Sequence, residues 1–364
     1  MKVGKVSESV LKRSVLKTIH NRRNEMLSGT GVGGDCAIFA LSPREACVTC
    51  MQEGRLVVPG NTRKVRDLAE TDSFTMAIPP HEGIKEATSE CPGTTPAKTM
   101  EQLVVKTMNN LAVSGAEPVG IQLTLLLPMY IEEPEIKNMM QEAEALAEKY
   151  NLQIMGGQTR ITELVSAPMA VLTGYGKAQV GRTPLTGAKP GMDIVVSKWI
   201  GLEGTAMLAE EYGQGLLTRY PAYLVEEAQS FLKYLSLQPE AEVAMQAGVA
   251  AMHDASEGGI FAALWELAEA AGLGLTVDMK KLPLRQETVE VCEYCNRNPY
   301  ELLAGGSLVM AASDGQALVE ALEEAGIPAT MVGHTTDSKD RILLNGEEVR
   351  YMDRPRTDEI YKNA

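Results

Sequence analysis

The chain runs to 364 residues, more than one compact core usually organises, so two domains are expected, each large enough to bury a core of its own. Hydrophobic residues make up 45% of it and charged residues 23%, the composition of an ordinary globular protein and not of a disordered one. Its 34 Lys and Arg against 48 Asp and Glu give a formal net charge of -14 with no segregated basic stripe, which argues against nucleic acid and anionic membrane as partners.

The opening MKVGKVSESVLKRSVLKTI is basic but has neither the apolar run nor the small-residue cleavage site of a signal peptide. No stretch approaches the roughly 20 apolar residues that span a bilayer, so a cytoplasmic protein is expected. Val10, Leu11, Val15, Leu16 and Ile19 share one helical face and predict an amphipathic helix over 8–20. After GTGVGGD, apolar runs at 36–41 and 46–51 flank Ser42-Pro43-Arg44-Glu45, the pattern of a β-hairpin. Residues 55–98 mix charge with Pro80, Pro92 and Pro96 and read as an irregular excursion holding one strand at 73–78. Met100, Leu103, Thr107 and Leu111 then predict a helix. A strand at 121–127 follows, then a helix striped by Ile136, Met139, Met140, Ala143, Leu146 and Ala147, a strand at 152–155 ahead of Gly156-Gly157, and a strand at 169–173.

QVGRTPLTGAKPG, residues 179–191, has the Gly, Pro and Thr content of a linker. It divides the chain into a β-rich unit over 1–178 and a second α/β unit over 192–364. The second unit is expected to begin with a strand at 193–197, then GLEGT and a helix from Thr205, with further helices near 224–235 and 240–251. HDASEGG precedes a helix at 260–271, and the remainder alternates strand 275–277, helix 286–296, strand 307–312, helix 315–325 and strand 329–332. Such alternation predicts an α/β fold with a sheet and packed helices in each half.

GTGVGGDCAIF sets Gly29, Gly31, Gly33 and Gly34 ahead of Asp35 and a strand. Glycines let the backbone approach a ligand closely, so that consecutive N–H groups converge on phosphate oxygens while Asp35 holds a bridging Mg²⁺. A loop before a strand has the same composition. Neither a Walker loop nor a dinucleotide fingerprint fits, because no GK[ST] follows and a strand stands where a helix is required. HDASEGGIFAALWELAE, from His253, presents a helix start at Gly258 and Gly259, a natural anion site. Asp254 and Glu257 add negative charge there, pointing to a metal between carboxylate and phosphate; helix capping by Ser256 with Glu257 as dipole partner accounts for the same residues.

Two cysteine pairs have CxxC spacing. Cys47 and Cys50 fall in a β-like run, where residues three apart face opposite ways, and Cys292 with Cys295 in a helical segment; both pairs are expected as buried reduced thiols rather than zinc ligands. His20, His81, His253 and His334 include no HxxxH, and no serine sits in GxSxG, which leaves zinc-protease and serine-hydrolase chemistry without local support.

GVGGDCAIF, MNNLAVSGAEPVG, IMGGQTRIT, KPGMDIVVSKWIGLEGTAML, HDASEGGIFAALWE and NPYELLAGGSLVMAA occur in that order over nearly the whole chain. The set resembles the superfamily of aminoimidazole ribonucleotide (AIR) synthetase, the hydrogenase maturation factor HypE, selenophosphate synthetase and thiamine monophosphate kinase, closest in look to the HypE-like, AIR synthase-related proteins. The resemblance implies a two-domain PurM-like fold. Its N-terminal β-rich domain binds nucleotide and forms a homodimer through its strands, its C-terminal domain is an α/β sandwich, and ATP and Mg²⁺ sit in the cleft between them. Family members use ATP to activate an amide, carbonyl or phosphate oxygen on a small substrate.

Position by position, the resemblance implies that Gly31, Gly33, Gly34 and Asp35 match the family's glycine-acid loop. Asn110 falls at the Asp of N-D-L-A, and Gln158, with Thr159 beside it, falls at the acidic or histidine position of GG-[EDH]-T. Asp254, Gly258 and Gly259 match the acidic and phosphate-side positions of the second domain. The family's T-D-P aspartate falls at Cys50 by hairpin spacing, whereas the wording TDSF places it at Asp72. The implied metal ligands are thus Asp35, Asp72 and Asp254. Mg²⁺ prefers anionic oxygens, and Asn110, Gln158 and Cys50 remove charge, so weak Mg-ATP binding and a non-catalytic homodimeric pseudoenzyme form the alternative expectation. HypE uses a cysteine at its C-terminal end, and no cysteine follows Cys295 here, so HypE's own carbamoyl chemistry is not expected.

Overall fold

The structure, a computed structural model, describes residues 8–10, 12–13, 16, 26–28, 36–56, 98–184 and 186–362. The glycine loop with Gly31, Gly33, Gly34 and Asp35, the expected strand at 73–78 and Asp72 lie outside the described residues, as does most of the expected helix over 8–20.

Two sheets carry the fold. The first has six strands in the order β1-β2-β3-β6-β4-β5, built from β1 (Met26–Ser28), β2 (Cys36–Ala40), β3 (Glu45–Arg55), β4 (Glu117–Leu127), β5 (Gln153–Ile161) and β6 (Met169–Gln179). The expected hairpin is present, with Cys36 opposite Cys50 and Ala40 opposite Ala46. Along β3, Ala46, Val48 and Cys50 point inward while Cys47 and Thr49 are half-buried, the period-two pattern of a sheet with one covered face. This strand continues to Arg55 and carries Gln52 and Glu53 beyond the expected end of the hairpin.

The second sheet has seven strands in the order β13-β12-β9-β11-β7-β10-β8. They are β7 (Asp193–Ser197), β8 (Ala251–Ala255), β9 (Gly274–Asp278), β10 (Ser307–Ala312), β11 (Ala329–Thr336), β12 (Arg341–Asn345) and β13 (Glu348–Tyr351). Strands β7 and β10 match the sequence expectation residue for residue. Three expectations are corrected. The helix placed at 240–251 ends at Gln246, and Ala251–Ala255 is instead β8, fully buried against β10. The stretch near 224–235 is a helix, Ala222–Gln229, followed by a 3-10 turn, Ser230–Tyr234. Strand β5 does not stop before Gly156-Gly157 but runs through both, because β4 offers it a complete parallel partner from Gly120 to Leu127.

The helix Met100–Val113 joins the two halves. Thr99 and Gln102 close a reciprocal capping box at its start: the Gln102 N–H donates to Thr99 Oγ1 at 3.1 Å, and the Thr99 N–H donates to Gln102 Oε1 at 2.7 Å. Every residue of it but Glu101 is buried. One side packs Leu103, Val104 and Met108 under β4 and β6, while Ala112 and Val113 enter the second sheet's core beside Val195, Leu237 and Met252. Each such large apolar side chain contributes about 1.5–3 kcal/mol on burial. Asn109 fixes the crossing: its Nδ2 donates to Leu235 O at 2.7 Å and its Oδ1 accepts from the Leu237 N–H at 2.8 Å. Lys198 holds the same loop from the other side, with Nζ 2.7 Å from both Tyr234 O and Ser236 O and 2.6 Å from Glu240 Oε1.

Candidate functional site

A cleft opens where the Met100–Val113 helix faces β8 and the start of the helix Gly259–Ala271. Its walls are Gln52 and Glu53 from the end of β3, Lys98, Lys106 and Asn110 on the first half, and His253, Asp254, Ser256, Glu257 and Glu266 on the second, with Leu303, Ile360 and Tyr361 along one rim. The site is therefore made by both halves of the chain.

Asn110 is the polar centre of the first wall. It is 5% exposed, its Oδ1 has no hydrogen-bond partner among the described residues, and its neighbour Asn109 spends both amide ends on the fold. A buried acceptor without a donor costs about 1–3 kcal/mol. Lys106 lies one turn earlier, 4% exposed, with Nζ 2.7 Å from Glu203 Oε2 in the opposite half. Gly305 leaves room for that carboxylate, since a Cβ there would lie 2.2 Å from Glu203 Oε2. Lys98 donates to Glu53 O at 3.4 Å, and burial, then the neighbouring Lys106 charge, lowers its pKa.

On the second wall, Asp254 is 7% exposed in β8, opposite Leu308. His253 beside it places Nδ1 2.8 Å from Asp254 O and Nε2 3.4 Å from Glu266 Oε2. Gly258, at φ 89°, caps the following helix, and Gly259 adopts φ 69°. A Cβ on Gly259 would meet Tyr300 O at 2.5 Å, so only glycine passes here. Ser256 makes no side-chain cap. The Gly258 N–H instead donates to the Asp358 carboxylate, which also accepts from the Leu303 N–H at 3.1 Å and the Ile360 N–H at 2.8 Å. Burial outweighs these three donors and pushes the Asp358 pKa up to about 7, and burial together with Glu257 and Asp358 raises that of Tyr361.

The structure thus brings Asn110 and Asp254 to one cleft, while Gly258 and Gly259 follow its lining residues Ser256 and Glu257 at the helix start without lining it themselves. It leaves Gln158 and Thr159 elsewhere: both are exposed on β5, an edge strand, opposite Thr124 and Leu125. Cys50 is not at the cleft either; it is 4% exposed in the core beside Leu111, its thiol donating to Thr107 O at 3.4 Å. The acid that β3 does bring to the cleft is Glu53, three residues on, which sequence reading missed because the strand was expected to end at Met51. Lys106 was equally missed, although a lone cation in MEQLVVKTMNNLAV is a visible signal. Among the described residues no group of three His, Cys, Asp or Glu is gathered closely enough to hold a metal ion, the two CxxC pairs included. Cys292 and Cys295 are buried free thiols, and their pKa values are pushed by burial up to about 12 and about 11.

Residues 81–178 match the N-terminal domain of AIR synthase related proteins, and residues 189–344 match their C-terminal domain. A carbamoyl dehydratase HypE from Rhodobacter capsulatus is 27% identical over 281 residues, which cover 71% of this chain and 80% of that protein. HypE of E. coli, a hydrogenase maturation protein, superposes with a TM-score of 0.65 at 19% identity over 86% of this chain and 87% of its own. A HypE crystallised in complex with ATP superposes with a TM-score of 0.63 at 16% identity over 99% and 98%. These likenesses fix the fold as the two-domain α/β architecture of that group.

Proposed function

The chain belongs to the AIR synthase related proteins, and from that premise we propose that it binds ATP with Mg²⁺ in the cleft between its two halves and uses it to activate an amide, carbonyl or phosphate oxygen of a small substrate. What carries the reading is the convergence of Asn110, Asp254 and Lys98 on one cleft made by both halves of the chain. The donor chemistry fits the group: the cleft offers the hard oxygens of Asn110, Asp254 and Glu53 to a magnesium ion and the Lys98 cation to phosphates, beside the thioethers of Met51 and Met207, which magnesium does not favour. Bound there, ATP would supply a transferable phosphoryl group. In this reading Asn110 and Asp254 hold the cation. Lys98 faces the polyphosphate, and the Gly258 and Gly259 amides steady the transferred phosphate. By family position, Gly31, Gly33, Gly34 and Asp35 would add further amides and a carboxylate and Asp72 a second carboxylate, whereas Gln158 and Thr159, exposed on β5, lie away from the cleft. By family position a second copy would pack on the strands of the first sheet, where β5 exposes Met155 at 43% and Ile161 at 49%.

Calorimetry tests this directly. Mg-ATP should titrate saturably, Asp254→Ala should abolish the signal, and Asn110→Asp should strengthen binding by about tenfold or more, a step of about 1.4 kcal/mol. Absence of any Mg-ATP heat, with no ADP formed from amide, carbonyl or phosphate acceptors, refutes the reading. A second reading, a non-catalytic homodimer binding a small anion, is favoured by one observation: the neutral Asn110 stands where an acid would hold the cation. Asn110→Asp separates the two, since a large gain in affinity marks a decayed magnesium site and no change marks a remodelled one.

A further inference from the structure

The cleft carries more negative charge than its own cations offset. Four carboxylates line it, Glu53, Asp254, Glu257 and Glu266, against Lys98, Lys106 and His253. Lys106 is engaged elsewhere, with Nζ 2.7 Å from Glu203 Oε2, a carboxylate that does not line the cleft, and His253 Nε2 lies 3.4 Å from Glu266 Oε2. Lys98 is left to answer Glu53, Asp254 and Glu257. A magnesium ion held by Asn110 and Asp254 would leave the charges of Glu53 and Glu257 standing, and these two, one from each half of the chain, act on the same groups. Burial, then the Lys106 charge, lowers the Lys98 pKa, and Glu53 and Glu257 both oppose that fall; burial raises the Tyr361 pKa, and Glu257 and Glu53 both add to the rise. Like charges sharing a partly dry cleft repel unless positive charge lies between them.

Asn110 makes an independent demand on the guest. It is 5% exposed, and its Oδ1, which has no hydrogen-bond partner among the described residues, belongs to the lining of the same cleft. An amide oxygen has two lone pairs, so it can serve a metal ion and accept from an N–H as well. The carboxylates call for positive charge and Asn110 for a donor. An ammonium brings both in one compact group, with three donors and no acceptor. Met51, Met207, Leu303 and Ile360 give an alkyl stem apolar surface in the same cleft. We propose that the acceptor substrate of this cleft carries an aliphatic ammonium, seated between Glu53 and Glu257 with one N–H donated to Asn110 Oδ1 and its alkyl stem against the apolar lining. Lys98, whose own ammonium faces the same carboxylates, competes with it. The proposal rests on the reading that this cleft takes the acceptor substrate, and it adds the charge that substrate bears.

Calorimetry of the full chain with n-butylamine at neutral pH, without nucleotide or magnesium, tests the site against n-butanol, a neutral probe of the same size. The amine should bind saturably and the alcohol about tenfold or more weakly; Glu257→Gln and Asn110→Leu should each weaken the amine by about tenfold, the loss of one charge-assisted hydrogen bond. Lys98→Met should strengthen the amine by about tenfold, opposite in sign to its effect on Mg-ATP, because a competing cation is gone. Denaturation curves confirm that the variants are folded, and Glu53→Gln, at an exposed position, gives the same reading where a buried substitution fails to fold. Equal affinity for amine and alcohol, or amine binding unchanged in both Glu53→Gln and Glu257→Gln, overturns the ammonium site. If the amine binds as expected while Mg-ATP gives no heat, the ammonium site stands and the nucleotide reading falls; if Mg-ATP binds and the amine gives no saturable heat, the nucleotide reading stands and the ammonium site falls.

Discussion

Removing one partner of the Lys106–Glu203 pair should be among the costliest single changes available in this chain. The two side chains meet at 2.7 Å across the junction of the halves, Lys106 at 4% and Glu203 at 0% exposure. Glu203→Leu leaves the Lys106 ammonium desolvated within the field of Lys98, and losing one member of a buried pair costs about 3–5 kcal/mol. At an unfolding entropy of about 2.1 cal/mol/K per residue, a cooperative chain of this length loses about 4–7 °C in Tm. Lys106→Met strands the carboxylate instead and should cost a similar amount. The double variant should recover most of the loss, because two apolar side chains in a dry pocket need no partner and replacement of a whole buried pair is often neutral. Calorimetric or urea unfolding of the four proteins gives the coupling energy, expected at about 2 kcal/mol or more. Single costs that simply add in the double variant would refute the pair as a coupled unit holding the two walls of the cleft.

Gly157→Ala should be severely destabilising, by about 3 kcal/mol or more, because a Cβ there would lie 1.8 Å from Leu123 O and the strand pair must separate; a normal urea midpoint in the variant would contradict the β4–β5 register. Lys98→Met should stabilise the empty protein by about 0.5–2 kcal/mol while weakening nucleotide binding, the exchange expected when a desolvated cation is kept for a ligand; a fall in Tm would give Lys98 a structural role. Cys292 and Cys295, with pKa values pushed up to about 12 and about 11, should resist alkylation at pH 8 in the native protein and react fully in denaturant; rapid native labelling read by mass spectrometry would deny their burial. The Asp358 carboxyl, held at about 7 near Glu257 and Tyr361, lies above its unfolded value of about 3.9, so its contribution to stability is complete below pH 4 and is lost as pH rises through 7. Unfolding curves from pH 5.5 to 8.5 should therefore show the unaltered protein losing ground to Asp358→Asn as pH rises, and parallel curves would refute the assignment.

Local pattern was enough where one residue's neighbours in sequence decide its environment. The helix from Met100, the hairpin around Ser42-Pro43-Arg44-Glu45, and strands β7 and β10 follow from period and turn chemistry alone. Strand β8 was hidden because Ala251-Met252-His253-Asp254-Ala255 has no β-branched residue; it is a strand because β10 pairs with it along its length. Gly156 and Gly157 look like a terminator, yet at Gly157 the missing side chain is what admits the Leu123 carbonyl. At the site, Gly258, Gly259, Asp254 and Asn110 were visible as motif positions. The partners of Lys106 and of the Gly258 amide were not, since Glu203 is 97 residues from Lys106 and Asp358 is 100 from Gly258, separations that no periodicity reports.

Asn110, Asp254 and Lys98 set the charge balance of the cleft. If the cleft takes a metal polyphosphate as proposed, a neutral amide at 110 would weaken its hold on the cation. Mere decay of the site would predict loss of the remaining ionisable groups, because desolvating them costs stability without return. Asp254 nonetheless stays buried in β8, and Lys98 stays in the cleft with its pKa depressed by burial. On the proposed reading, charges retained in the cleft are kept for a ligand, and the stability gain expected from Lys98→Met measures how much the fold gives up to keep one of them.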